Sequence, residues 1–197
     1  MIVSRFEFSK ERRVREMLVR SLERLWAEVE NLNRPVAGSR VPGVMESEVE
    51  EVLGGAVPED IVTWFGWSNG VEYLPGQIQD DAFLVPGYEP LSLREARAVR
   101  ESYGIDEAVL GEHWTPLLAT GGGDFYAAVH GTSLKDSRVV HVMMGGESLI
   151  VYKTVEEMVN AFCGFYRSGV FFVSAQGTLE ADDEIWVAAE LESGSAA

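Results

Sequence analysis

Residues 114–152 constrain this chain most. Four short apolar runs follow closely on one another: Thr115–Ala119, Asp124–His130, Arg138–Met144 and Ser148–Tyr152. Gly121-Gly122-Gly123, the turn around Gly131–Ser137 and Gly145-Gly146 separate them. None of these breaks is long enough for the crossover that parallel pairing requires. The runs therefore predict an antiparallel meander. If the second break closes around Ser133-Leu134, His141 falls opposite Tyr126 and away from His130. A sheet of this kind needs helices over its apolar face.

Helical periodicity supplies them. From Ser9 to Asn31, Val14, Leu18, Leu22, Leu25 and Val29 recur every three or four residues, and Met17 and Trp26 widen the stripe. Ser9 is the expected N-cap. A second helix spans Glu46 to Leu53, with Ser47 and Glu50 at capping-box spacing and Gly54-Gly55 as the stop. Val57–Gly70, read V-P-E-D-I-V-T-W-F-G-W-S-N-G, predicts a third. Pro58 suits a first turn, Glu59 and Asp60 complement the positive helix end, and Asn69-Gly70 supply a left-handed stop. Val71–Leu74 and Gln77–Val85 read as strands around Pro75-Gly76, with Pro86-Gly87 as another turn. Ser92 and Glu95 form a capping box for a helix from Leu93 to about Tyr103. Thr154 caps a helix to about Arg167, with Val155, Met158, Val159, Phe162 and Tyr166 inward. Gly169 releases a final strand, Val170–Val173, and Gln176-Gly177 turn the chain. The acidic segment Asp182–Glu192, around Ile185, Trp186 and Ala189, either docks as a short helix or frays.

This order predicts an α+β fold: an antiparallel sheet of about five to six strands packed against helices, with an amphipathic amino-terminal helix. Residues 1–192 read as one domain and residues 193–197 as a disordered tail. A chain of 197 residues buries enough surface to fold without metal or disulfide. Its single cysteine, Cys163, excludes an internal disulfide framework and suits a reducing cytoplasm. No apolar run approaches membrane-spanning length, and no cleavable leader opens the sequence. Thirteen Arg against three Lys fits a GC-rich bacterial genome.

Charge is distributed unevenly. The net charge is −16. Residues 1–34 carry 8 basic and 6 acidic groups; residues 35–197 carry 8 basic and 26 acidic groups, a net of −18. Such a field repels nucleic acid and steers cationic partners. It also serves solubility.

The chemistry-bearing residues assemble into no catalytic motif. Gly121-Gly122-Gly123-Asp124 lacks the Lys-Ser/Thr of a phosphate loop and leads into a strand rather than a helix. His113, His130 and His141 have no His or Cys at ligand spacing, so no metal and no cofactor is expected. Cys163 sits in an apolar helix with no activating base indicated. No serine has a nucleophile-elbow setting. Asp80-Asp81 reads as a solvated edge. Trp26 and Trp64 belong to core stripes. Trp67 lies off its helix's best face and is a candidate contact residue. Trp114 opens the meander and fits beneath the Pro58 helix. Trp186 either docks the acidic tail or meets a partner.

Taken in order, the motifs resemble the SUKH superfamily, the Smi/Knr-like proteins. The stretches P-E-D-I-V-T-W-F-G-W-S-N-G and W-T-P-L-L-A-T-G-G-G-D-F-Y carry the resemblance. Glu46–Gly54, F-L-V-P-G-Y-E-P-L-S-L-R-E-A over Phe83–Ala96, and Val155–Val173 support it. The likeness covers about residues 45–180. One departure is the Ala-Ala-Val-His after the G-G-G-D-F-Y strand, where the family often has an acidic residue; no binding role is carried over to that position.

The resemblance implies a non-enzymatic, protein-binding α+β module. Bacterial members commonly act as immunity proteins against polymorphic toxins, often nucleases or deaminases; fungal relatives are regulators linked to cell-wall synthesis. The expected partner is a protein, with a cationic nuclease or deaminase toxin domain as the candidate and neither nucleic acid nor membrane involved. A regulatory or scaffold protein without a toxin partner is the alternative. The expected partner-binding residues are Trp67, Glu72, Asp80, Asp81 and Tyr88.

Overall fold

The computed structural model describes residues 3–104, 108–132, 134 and 137–195. The fold is α+β, as the patterning predicts. Helix α1 (Val3–Asn31) is followed by β1 (Arg40–Pro42), α2 (Glu46–Leu53), α3 (Glu59–Trp67) and β2 (Ser68–Val71). Next come β3 (Glu89–Pro90), α4 (Leu93–Ser102), and the meander β4 (Trp114–Ala119), β5 (Phe125–Val129), β6 (Arg138–Val142) and β7 (Leu149–Tyr152). The chain closes with α5 (Val155–Ser168), β8 (Phe171–Val173), β9 (Leu179–Ala181) and α6 (Asp183–Ser195).

The main sheet has five antiparallel strands in the order β3-β4-β5-β6-β7. Two short antiparallel pairs, β1-β2 and β8-β9, form separate two-stranded sheets; α2 and α3 lie between β1 and β2 in the chain. Tyr126 pairs with His141, the register expected from the meander. That expectation turned on Ser133-Leu134, of which Ser133 lies outside the described residues. Pro116 sits in an inner strand, where it cannot donate to the ladder. The register shifts between Pro116 and Leu118, which accommodates it.

Helices α1 and α5 pack together and close the core. Leu18, Leu22, Leu25 and Val29 of α1 are fully buried with Val155, Met158, Val159 and Phe162 of α5. They meet Phe125, Tyr126, Val140 and Tyr152 from the sheet. Burying a side chain such as Phe162 contributes about 2–3 kcal/mol. Met17, expected on the inner stripe of α1, is 42% exposed.

Several local expectations need correction. Helix α1 begins at Val3, so Ser9 is interior rather than a cap. The cap position of α2 is Met45, not Ser47, and makes no side-chain bond. Helix α3 ends because Ser68 turns extended and enters the β1-β2 pair. Asn69-Gly70 do not stop it; they seat the start of α4. The Asn69 amide oxygen accepts from the Leu93 N–H at 2.8 Å, and a Cβ on Gly70 would lie 2.6 Å from the Ser92 nitrogen. The expected strand Gln77–Val85 does not form. Residues 79–82 make a 3-10 turn instead, because the Asp81 carboxylate caps the Ile78 N–H at 3.0 Å. Side-chain bonds of this kind compete with the sheet ladder. The expected strand Val71–Leu74 shifts back to Ser68–Val71. Strand β9 had no sequence counterpart.

The capping box of α4 forms in full: Ser92 accepts from the Glu95 N–H and Glu95 from the Ser92 N–H. Thr154 caps α5 through the Glu157 N–H at 3.0 Å. Helix α6 carries the chain past Glu192 to Ser195, where a disordered tail was expected; Ala196-Ala197 lie outside the described residues.

Candidate functional site

Trp186 and Glu190 lie one turn apart on α6, so both side chains face the sheet. Glu190 is 5% exposed. Its Oε1 accepts from the Tyr126 hydroxyl at 2.6 Å, the Tyr152 hydroxyl at 3.2 Å and the Trp186 indole N–H at 3.2 Å. Its Oε2 meets His141 Nδ1 at 3.2 Å, and His141 Nε2 meets the Tyr88 hydroxyl at 2.6 Å. A neutral imidazole with its proton on Nδ1 satisfies both contacts. A buried carboxylate is tolerated because these donors replace its water shell.

Tyr88, His141 and Glu190 have the connectivity of a nucleophile, a base and its orienting acid. The electrostatics of Tyr88 oppose that use. Burial, then Asp124 and Glu190, push the Tyr88 phenol well up, so it stays protonated at neutral pH. Tyr126 and Tyr152 are raised for the same leading reason, burial, reinforced by Glu190. A nucleophile needs the opposite shift. Cys163 is likewise raised by burial, and its thiol points to the Ser21 carbonyl at 3.7 Å. The cluster's evident work is to fasten α6 to the sheet.

The five expected contact residues do not share one patch. Tyr88 is turned inward, 7% exposed and in contact with Tyr126, His141 and Trp186. Asp80, expected at a solvated edge, is a structural carboxylate. Its Oδ2 pairs with Arg34 at 2.6 Å, and its Oδ1 accepts from the Leu179 N–H at 2.9 Å. Arg34 is itself buried and also donates to the Asp80 and Gly177 carbonyls. This clasp ties the end of α1 to the 79–82 turn and to the β8-β9 turn. Asp81 is half-buried by its capping role. Glu72 alone of the five is fully at the surface.

Trp67 forms one wall of a groove of about 500 Å³ between α1 and α3, lined also by Arg15, Arg40, Met45 and Glu46. It is half-buried. Its indole N–H donates to Glu23 at 2.6 Å, its ring meets Trp26 edge-on at 5.5 Å, and the Arg40 guanidinium lies 4.7 Å above it. Trp26 and Trp64 are buried as expected. Trp114 packs on Phe125 and Tyr103 instead of beneath α3. Trp186 docks the tail.

Glu190 and Arg34 escaped the sequence reading because a charged residue in a polar segment reads as solvated. The i, i+4 spacing of Trp186 and Glu190 was the available signal. Asp60 was read as a helix-end charge only. It also binds the Ser137 N–H and hydroxyl, each at 2.9 Å, and so pins α3 to the start of β6.

No family model matches the chain, and no curated protein matches it. No helix among the described residues is long and apolar enough to cross a membrane.

Proposed function

We propose that this chain is a non-enzymatic protein-binding module, an immunity protein of the SUKH type that neutralises a basic toxin domain. The observation that carries the reading is charge placement: residues 35–197 hold 26 acidic and 8 basic groups. Exposed acidic residues occur on α2, α4, β9 and α6. Several arginines are already engaged: Arg15 with Glu46 and Glu59, Arg34 with Asp80, Arg97 with Glu101, Arg167 with Glu28. Each such pair cancels one charge of either sign, so the excess remains the net −16, which favours a cationic partner. The α+β fold and the motif order that resembles the SUKH superfamily agree with this reading.

The test is to look for a toxin domain encoded beside this gene and to co-express it with the chain, followed by association kinetics over a salt series; a neighbourhood without one counts against the reading. Rescue of the host is expected, with the association rate falling roughly tenfold or more between low and physiological salt. No rescue, or association indifferent to salt, rejects the reading.

A further inference from the structure

Between β2 and the 79–82 turn the chain runs over the surface. Three apolar side chains stand out from it: Tyr73 is 49% exposed, Leu74 47% and Ile78 62%. Single exposed hydrophobics are ordinary, but three within six residues of one braced turn are a concentration of exposed apolar surface.

The segment is braced. Leu74 and Gln77 close a turn through the Gln77 N–H to the Leu74 carbonyl at 3.1 Å. The Gln77 side chain returns the bond, accepting from the Leu74 N–H at 2.7 Å. Pro75 and Gly76 occupy the middle, and Gly76 has φ +90°, the value a type II turn needs there. The Glu72 N–H is held by the Ser39 carbonyl at 2.8 Å. Asp81 holds the Ile78 N–H from the other side. The apolar side chains are thus presented on a fixed backbone, which lowers the ordering cost of binding.

Acidic groups lie beside Tyr73. The Tyr73 hydroxyl donates to Glu89 at 2.5 Å, and Glu95 lies within electrostatic reach of the same ring. Glu72 and Asp81 flank the segment in sequence. Asp80 contributes no free charge, because Arg34 neutralises it.

We propose that Tyr73, Leu74 and Ile78 form the apolar centre of a docking surface for a basic protein segment in which Arg or Lys alternates with aromatic or aliphatic side chains. The apolar side chains of that segment cover Leu74 and Ile78. Its cations meet Glu72, Glu89 and Glu95 at the rim. The arrangement is that of an interface with a desolvated centre and a charged edge. This inference rests on the protein-binding reading above and assigns it a surface.

The experiment selects a library of random peptides displayed on phage against the full chain, then measures binding of the synthetic winners. Enriched peptides are expected to combine Arg or Lys with Trp, Phe or Leu, and to bind less tightly as salt rises. The double variant Leu74→Ser, Ile78→Ser should lose at least about tenfold in affinity. Its thermal midpoint should stay close to the parent's, since both side chains are exposed. Met45→Ser, 73% exposed in the α1–α3 groove, should bind as the parent does. The inference is overturned if no peptide is enriched, if the winners lack basic residues, or if the double variant binds them unchanged. The same variants are measured against any toxin domain found encoded beside this gene. A toxin bound equally by parent and double variant removes this surface but leaves the immunity reading standing. Peptides captured here without any toxin binding remove the immunity reading but leave the surface.

Discussion

The Tyr126 hydroxyl, in the middle of the sheet, donates a 2.6 Å hydrogen bond to Glu190, 64 residues later on the last helix. Two further donors share the same carboxylate oxygen, Tyr152 and Trp186. Removing Glu190 would leave three buried donors unsatisfied. Glu190→Ala is expected to lose about 2–4 kcal/mol in urea denaturation and to make α6 an early target of limited proteolysis. An unchanged cleavage pattern would mean that α6 is held by other contacts.

High pH should act on the same cluster and on Tyr166. Tyr88, Tyr126, Tyr152 and Tyr166 are all raised above the ordinary value of 10.0, chiefly by burial. Above pH 10 the unfolded chain releases these phenolic protons while the folded chain keeps them. Stability is fully present below pH 10 and falls as pH rises towards the folded values. Each tyrosine contributes up to about 1.4 kcal/mol per pH unit in that window. Denaturation midpoints across the alkaline range, read with phenolate ultraviolet absorbance, should show these four ionising only as the fold is lost. Early ionisation of all six tyrosines would contradict their burial.

The Arg34–Asp80 pair predicts a folding defect rather than a binding one. Asp80→Ala leaves a buried guanidinium without its carboxylate, and about 3–5 kcal/mol should be lost. Asp80→Asn keeps the shape and should cost less. Equilibrium unfolding of the two variants checks the order. A fully stable Asp80→Ala protein would return Asp80 to the surface role its sequence suggests.

Gly43 is required by a close approach. A Cβ there would lie 1.9 Å from the Gly66 carbonyl oxygen, a backbone atom on α3 that cannot swing away. Gly43→Ala should cost about 1–3 kcal/mol. Gly38→Ala, with nothing within 4 Å of the added carbon, should be neutral or slightly stabilising. Thermal melts of the two variants decide the point.

Ser92 tests the local rule. Ser92→Ala removes one half of the α4 capping box and should cost about 1 kcal/mol, measured by denaturation. Loss of several kcal/mol would show that Ser92 also anchors the Asn69-Gly70 seat beneath it.

Local chemistry by itself determined much of this protein. The stripes of α1 and α5, the caps at Ser92 and Thr154, the turn at Gly121-Gly122-Gly123 and the Tyr126–His141 register all depend on neighbours a few residues away or on one tight hairpin. Those signals survive because side-chain period and turn chemistry act within a segment. Tertiary structure alone decided where the charges went. Asp80 faces inward because Arg34, 46 residues earlier, meets it there. Glu190 is buried because donors from the sheet and from its own helix converge on it. The strands expected over Val71–Leu74 and Gln77–Val85 gave way to a shorter β2 and a capped turn, which left Tyr73, Leu74 and Ile78 outside. A carboxylate in sequence reads as solvated, since water is its default partner. Only the folded chain supplies the donors that replace that water, and they come from residues far apart in sequence.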